Sequence, residues 1–263
     1  MSILVATMNV NQPELTNNLV EQVSKNTEVE HEIMVLENGA TEPSSYSTHR
    51  TEQNCFFGGG LNLIFDYYLN QTDHDWLMVL NNDLIIHGDN FLSIMLSEAE
   101  ENDVCQLSPA IINASIPQCY WKQMHMWMSG GTRSVEWIDF QAPMLRRDIC
   151  DLIKVYPSEL LYGWGNDVLT GIIARLHGLK TGVTDKCCIA HLNSQTLNKG
   201  IEDLEGKTLS NQEYCARAEE GMMSYMRLDP VRWEMFQSFR HNAANYSYLV
   251  PPLPYNTWER KYV

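Results

Sequence analysis

The sequence predicts an α/β fold in which a Rossmann-like, mixed but mostly parallel sheet is flanked by helices and followed by a C-terminal helical and aromatic extension. Three observations carry that expectation. Strand-like and helix-like segments alternate from Ile3 onward, which in a chain of this size favours parallel pairs joined by right-handed crossovers. Several short apolar runs stop at clusters of carboxylates and carboxamides, where open α/β sheets place their ligands, outside the carboxyl ends of the strands. Finally, 263 residues with 44% hydrophobic content can bury a full core.

Composition narrows the partners. The formal charge of −15 disfavours loose binding to phosphate backbones, so nucleic acid is a minority expectation, and it disfavours anionic membrane surfaces too. No apolar stretch approaches the ~20 residues of a membrane span, and the N-terminus lacks the basic-then-apolar design of a secretion signal, so no membrane span is expected. Seven cysteines make an odd count without a Cys-x-x-Cys pair, and Cys187 and Cys188 are adjacent. That pattern indicates neither a disulfide framework nor a zinc cluster, and it predicts a cytoplasmic setting.

In order, Ile3 to Ala6 reads as a first strand ending at Thr7-Met8-Asn9. Pro13 opens a helix that runs with apolar Leu15, Leu19, Val20 and Val23 to near Asn26, since proline at a first helical position forfeits no hydrogen bond. Glu32 to Leu36 is a second strand, running into the polar turn Glu37-Asn38-Gly39-Ala40-Thr41-Glu42. Gly58, Gly59 and Gly60 precede a helical pattern containing Asn62, Leu63, Ile64, Tyr67 and Tyr68. Such a run either leaves helix N–H groups free for an anion or is a flexible loop.

The stretch from Asp75 to Asp89 is the densest. Trp76 to Leu80 stops at Asn81-Asn82-Asp83 before Leu84, Ile85 and Ile86 resume, which reads as strand, exposed polar tip, strand. Asp83 is either a metal ligand or part of a simple turn. Phe91 to Glu101 reads as a helix and Val104 to Ile112 as a strand carrying Pro109. The segment Gln118 to Ser134, with Trp121, Met124, Met126, Trp127 and Met128, is either core or a sugar-facing platform. Val135 to Ala142 is strand-like. Arg146 and Arg147 lead into a short helix through Leu152 and either face solvent or neutralise a phosphate.

Tyr162-Gly163-Trp164-Gly165-Asn166-Asp167 precedes a helix from Val168 to Leu176 that closes at His177-Gly178. An aromatic between two glycines is free to point into a cleft. Asp167 at a helix start is helped by the helix dipole, and it is either a helix cap or a functional acid. Two strands, Thr181 to Thr184 and Cys187 to Ala190, lead to His191. Asn211 to Leu228 is an amphipathic helix, and Tyr246 to Tyr255 is an aromatic, proline-rich tail, either a lid or a strap packed on the core. The chain therefore divides at residues 1–200, the α/β domain, and 201–263, the helix and tail.

Taken together, Thr7-Met8-Asn9, Val35 to Glu42, Phe57-Gly58-Gly59-Gly60 with Asn62, Leu80-Asn81-Asn82-Asp83, Gly163-Trp164-Gly165-Asn166-Asp167 and His191 resemble, in order, the motifs of GT-A fold nucleotide-sugar glycosyltransferases of the family 2 type, including rhamnosyl- and galactosyltransferase-like enzymes. Asn81-Asn82-Asp83 is similar to the Asp-x-Asp metal motif in its Asn-Asn-Asp form, and Gly163 to Asp167 to the Trp-Gly-x-Glu-Asp motif. The resemblance implies that Thr7, Asn9, Glu37, Asn38, Gly58, Gly59, Asn62, Asn81 and Asn82 surround the nucleoside-diphosphate sugar, Glu37 at its base. It implies that Asp83 and His191 hold Mn²⁺ or Mg²⁺ on the diphosphate, that Asp167 is the catalytic base, and that Trp164 and Gly165 meet a glycan or other hydroxyl acceptor. Two departures stand out: Asn81 replaces the first acid of the metal motif, and Asn166 stands where that family has glutamate.

The chemistry accounts for these residue types. Charge builds on a leaving diphosphate, which a divalent ion stabilises; oxygen ligands suit both ions, and one histidine tilts the choice toward Mn²⁺. The acceptor hydroxyl must lose a proton to a carboxylate, and attack from the face opposite the leaving group inverts the anomeric centre. The expected activity is thus a metal-dependent, inverting hexosyltransferase using UDP-sugar ahead of dTDP- or GDP-sugar. Two other readings stand beside it: a catalytically silent nucleotide-sugar- or glycan-binding module, and a viral glycosyltransferase acting on modified DNA bases in the host cytoplasm.

Overall fold

The structure, a computed structural model, describes residues 1–112, 121–192, 201–202 and 206–245. The start of the segment expected from Gln118, the stretch from Asn193 to Thr196, the boundary at residue 200 and the Tyr246–Tyr255 tail lie outside the described residues.

The core is a nine-stranded sheet in the order β3-β2-β1-β4-β8-β6-β9-β5, with β7 pairing off β9. Its centre is β1 (Ile3–Asn9), paired in parallel with β2 (His31–Asn38) on one side and β4 (Trp76–Leu80) on the other. Both β1 and β4 are apolar nearly throughout and almost wholly buried, as strands covered on both faces must be. Beyond them lie β3 (His49–Thr51), β8 (Met144–Arg146), β6 (Val104–Ile111), β9 (Lys180–His191), β5 (Leu84–His87) and β7 (Thr132–Val135). β3, β2, β1, β4, β6 and β9 point one way; β8, β5 and β7 run against them.

Helices α1 (Pro13–Val23), α2 (Phe56–Gln71), α3 (Phe91–Glu101), α4 (Arg147–Ile153) and α5 (Asn166–Leu176) pack on this sheet. Pro13 sits at the start of α1, and Gly178 after α5 takes the left-handed φ of +70° that a helix stop requires. A small pair, β10 (Ile201–Glu202) and β11 (Thr208–Leu209), precedes α6 (Asn211–Arg227) and α7 (Pro230–Asn245). Ser210 and Glu213 close a capping box on α6. Met222 and Met226 of α6 and Phe236 and Phe239 of α7 belong to the same buried cluster as the sheet.

Several expectations need correction. The glycine run does not precede its helix: α2 begins at Phe56, so Gly58 to Gly60 lie in its first turns. The strand expected to reach Ala142 ends at Val135, and the rest is an irregular loop whose Trp137, Ile138 and Phe140 are nonetheless buried. β9 is one continuous strand where two were expected, with a register shift opposite Pro109 and Ala110 that absorbs the polar Asp185-Lys186 step. Met124 and Met126 are core, and Trp121 packs edge-on against Trp137 at 4.8 Å between ring centroids. Arg146 pairs with Asp148 and Asp103, and Arg147 donates to the carbonyls of His74, Tyr68 and Thr72 while lying over the Tyr68 ring. Both arginines are spent on the protein itself, at the amino ends of the central strands.

Candidate functional site

The carboxyl ends of β1, β2, β4 and β9 meet at one edge of the sheet, so residues far apart in sequence collect there. Asn9 is opposite Glu37, Thr7 is opposite Leu80, and Leu84 just past the β4 tip is opposite His191.

The tip itself is not exposed. Asp83 is 4% accessible, and its Oδ1 lies 3.1 Å from Nε2 of His191, itself buried. The Leu192 N–H donates to the Asp83 carbonyl, locking the β9 end onto the tip. This is a hydrogen-bond distance between the two side chains, and it is also the ~3 Å that separates two ligands at right angles on an octahedral ion with ~2.1 Å bonds, so the pair is compatible with a divalent cation. Among the described residues no group of three or more histidine, cysteine or acidic side chains is placed to hold a metal. Asn82 donates to Thr16 Oγ1 at 3.1 Å, tying the tip to α1.

The neighbouring residues assigned to the nucleotide are engaged with the chain. Glu37 is wholly buried, one oxygen accepting from Asn9 Nδ2 at 2.7 Å and the other from the Ser44 N–H at 2.8 Å. Asn9 also bonds the Glu42 carbonyl and accepts from the Gln12 N–H. Asn38 clamps the start of α2, accepting from the Cys55 N–H and donating to the Phe56 carbonyl. Phe56 needs such a clamp, because its φ of +57° is strained for a bulky residue. The Gly58 N–H donates to the Leu161 carbonyl, and a side chain at Gly58 would run into the Leu160 carbonyl. Asn62 forms a two-way bond with the backbone of Tyr156. Gly58, Gly59 and Asn62 therefore seat the 156–161 segment, while Gly60 lies against Met8 of β1. Among the described residues, Thr7 Oγ1 and both amide atoms of Gln12 are buried at this edge without a hydrogen-bond partner.

Where an acceptor was expected, Gly163 and Gly165 take φ of +102° and +90°, which lets the chain turn Trp164 outward, 41% exposed. Side chains at these glycines would strike Phe57 and Met222. Gly165 is the N-cap of α5 and Asp167 lies in the first turn, its Oδ1 accepting from the Val168 N–H at 2.8 Å. Asn166 is fully buried, its Oδ1 without a hydrogen-bond partner among the described residues. Burial, and then the charge of Asp139, push the Asp167 carboxyl up to about 8, against opposing backbone hydrogen bonds.

Asp139 escaped the sequence reading, hidden in a stretch that alternates like a strand. An acid between Ile138 and Phe140, both core residues, was the available signal. It accepts from Gln141 Nε2 at 3.2 Å, and the Gln141 carbonyl accepts from the Asn81 N–H. Thus the loop at 139–141 is hydrogen-bonded to the tip carrying Asp83, and the charge of its Asp139 acts on Asp167 in the first turn of α5. A cavity of about 610 Å³ lined by Asp73, Asp75, Arg146 and Arg147 opens at the opposite edge of the sheet, away from these residues.

No family model and no curated protein sequence matches the chain. Solved structures do. GalNAc-T7, in a structure with UDP, GalNAc and Mn²⁺, superposes with a TM-score of 0.59 at 11% identity over 72% of this chain and 43% of its own. A 1–349 fragment of TarS from S. aureus gives 0.53 at 15% identity over 87% and 74%, and A197 from STIV gives 0.45 at 14% over 80% and 94%. The chain spans less than half the length of the GalNAc-T7 chain. The fold is thus the mixed α/β, GT-A type of nucleotide-sugar glycosyltransferases. No helix among the described residues is long and apolar enough to cross a membrane.

Proposed function

We propose that the chain is a metal-dependent, inverting glycosyltransferase that moves a sugar from a nucleoside-diphosphate sugar, UDP-sugar first, to a hydroxyl of a glycan acceptor in the cytoplasm. The observation that carries this reading is the Asp83–His191 contact at the carboxyl edge of a glycosyltransferase-like sheet. Residues 1–200 are the donor-binding body, and 201–263 an extension whose helices α6 and α7 pack on it.

Asp83 and His191 would hold Mn²⁺ or Mg²⁺, which neutralises charge on the departing diphosphate. Thr7 and Asn82 lie beside the donor. Glu37, Asn9 and Asn38 support the nucleotide from behind by fixing the loops it rests on. Asp167 takes the proton of the acceptor hydroxyl as that oxygen bonds the anomeric carbon; the bond from that carbon to the diphosphate breaks, and its electron pair leaves with the phosphate oxygen. Trp164 offers an apolar face for an acceptor sugar to stack on.

A thermal-shift screen of UDP, dTDP and GDP with and without Mn²⁺ tests the donor class, since a ligand at 100 times its dissociation constant stabilises by about 2.7 kcal/mol. The expected result is a Mn²⁺-dependent shift with UDP, followed by sugar transfer or slow donor hydrolysis. A shift without any turnover leaves a nucleotide-sugar-binding module in place of an enzyme, and no shift with any nucleotide refutes the donor assignment.

A further inference from the structure

Resting on the glycosyl-transfer reading, we propose that Asp139 is a positioning residue for that reaction: Asp139 and Asp167 act as one two-carboxylate unit, Asp167 taking the acceptor's proton while Asp139 holds charge beside it.

The juxtaposition is built by a glycine. At Gly171 of α5, a Cβ would lie 2.5 Å from the Trp137 Cβ and 2.6 Å from the Glu136 carbonyl, so the helix rests directly on the backbone of the 136–140 loop. The ion pair from Arg175 Nη1 to Glu136 Oε1, 2.6 Å, holds the far end of the contact. Asp167 is four residues before Gly171 and therefore on the same helix face, one turn back along the loop. Trp137, Ile138 and Phe140 are buried anchors, so Asp139 between them is fixed, its N–H directed at Met124 Sδ and its carboxylate held by Gln141.

The other charges around α5 are committed elsewhere. On β9, Lys180 engages Asp103, Asp185 engages Arg133 and Lys186 engages Glu98. On α4, Arg147 is tied to backbone carbonyls and Asp148 to Arg146, while Asp151 and the buried Cys150 complete that helix. On α7, Arg232 donates to the Tyr225 carbonyl and lies over its ring, Arg240 lies over Phe236, and Glu234 and His241 are the remaining titratable groups of the helix. Tyr156, whose hydroxyl bonds Thr170, feels the Asp167 charge from below. Of these neighbours, the Asp139 charge acts most strongly on Asp167. Two such carboxylates resist losing both protons, so the second proton leaves late, and the carboxylate that forms is a stronger base than an isolated one.

The test is the pH profile of transfer by the full chain with UDP-sugar and Mn²⁺, comparing wild type with Asp139→Asn and Asp139→Ser. In both variants the acid limb of kcat should move about one pH unit toward acid. Turnover near pH 6 should therefore rise several-fold, the alkaline plateau should fall and the donor KM should stay unchanged. Carboxylate ¹³C NMR should show the same acidward move of the Asp167 titration without reference to activity. A folded Asp139 variant, judged by melting temperature, whose kcat falls equally at all pH values and whose Asp167 titration is unmoved overturns the pair while leaving the transferase reading intact. Wild type without transfer, or an Asp167→Asn variant with full turnover, overturns both.

Discussion

Asp167→Asn keeps the outline of the side chain and the acceptor for the Val168 N–H but removes the charge, so it separates two consequences of one carboxylate. In the unfolded chain this carboxyl ionises near 3.8, whereas in the folded chain burial and then Asp139 hold its proton up to about 8. Between those values the folded state carries the extra proton, so wild-type stability falls as pH rises from about 4 to about 8. The full displacement corresponds to roughly 6 kcal/mol at 1.36 kcal/mol per unit. Solvent at the half-buried rim and proton sharing with Asp139 reduce this, and the lost helix-dipole interaction subtracts a few tenths more, leaving an expected gain of about 1–3 kcal/mol for the variant at pH 8.5. That is a rise of roughly 3–8 °C in melting temperature. At pH 4, where both side chains are neutral, the two proteins should melt together. Transfer should meanwhile drop by ~10²–10⁴-fold with donor affinity unchanged. Calorimetry at the two pH values and single-turnover transfer read both effects. A variant that melts lower than wild type at pH 8.5, or transfers as fast, refutes the picture of a buried, charge-strained base.

Asp83→Ala should abolish Mn²⁺-dependent UDP binding by calorimetric titration and, because the residue is buried against His191, should also cost about 1–3 kcal/mol in urea unfolding. Asn38→Ala removes both bonds that hold the strained Phe56 corner and should destabilise by about 2–4 kcal/mol, again by urea unfolding, with no nucleotide present. Trp164→Ala, at an exposed position, should change stability by less than about 0.5 kcal/mol while raising the KM of the acceptor and sparing that of the donor.

The central strands and the helices α1, α3 and α5 were legible because their burial is local in pattern: β1 opens on the apolar run Ile3 to Ala6, β4 is apolar throughout, and α5 is bounded by a glycine at each end. β3 and β8, three residues each, exist only because a neighbouring strand offers a free edge, which no local window records. The irregular 136–143 loop imitates a strand because Trp137, Ile138 and Phe140 are core residues reached without a ladder. For the site, residue types at strand ends were readable, but their state was not. Asp83 looked like an exposed tip and is covered by β9; the glycines looked like an anion cradle, yet Gly58 and Gly59 meet the 160–161 turn and Gly60 meets Met8; the role proposed for Asp139 rests on the close approach that Gly171 permits.

Gly221 sits where α6 crosses the Glu159 carbonyl with no room for a side chain, and the next residue, Met222, fills the space under Gly165. The helix is thus the floor on which the Trp164 turn stands. Any replacement at Gly221 lifts that floor and tilts the indole with it, so the direction in which the tryptophan faces is governed from the helix beneath it. An effort to redirect what this turn encounters would do better to vary α6 than the tryptophan, and it would be limited by how far α6 can move before Met222 and Met226 leave the common core.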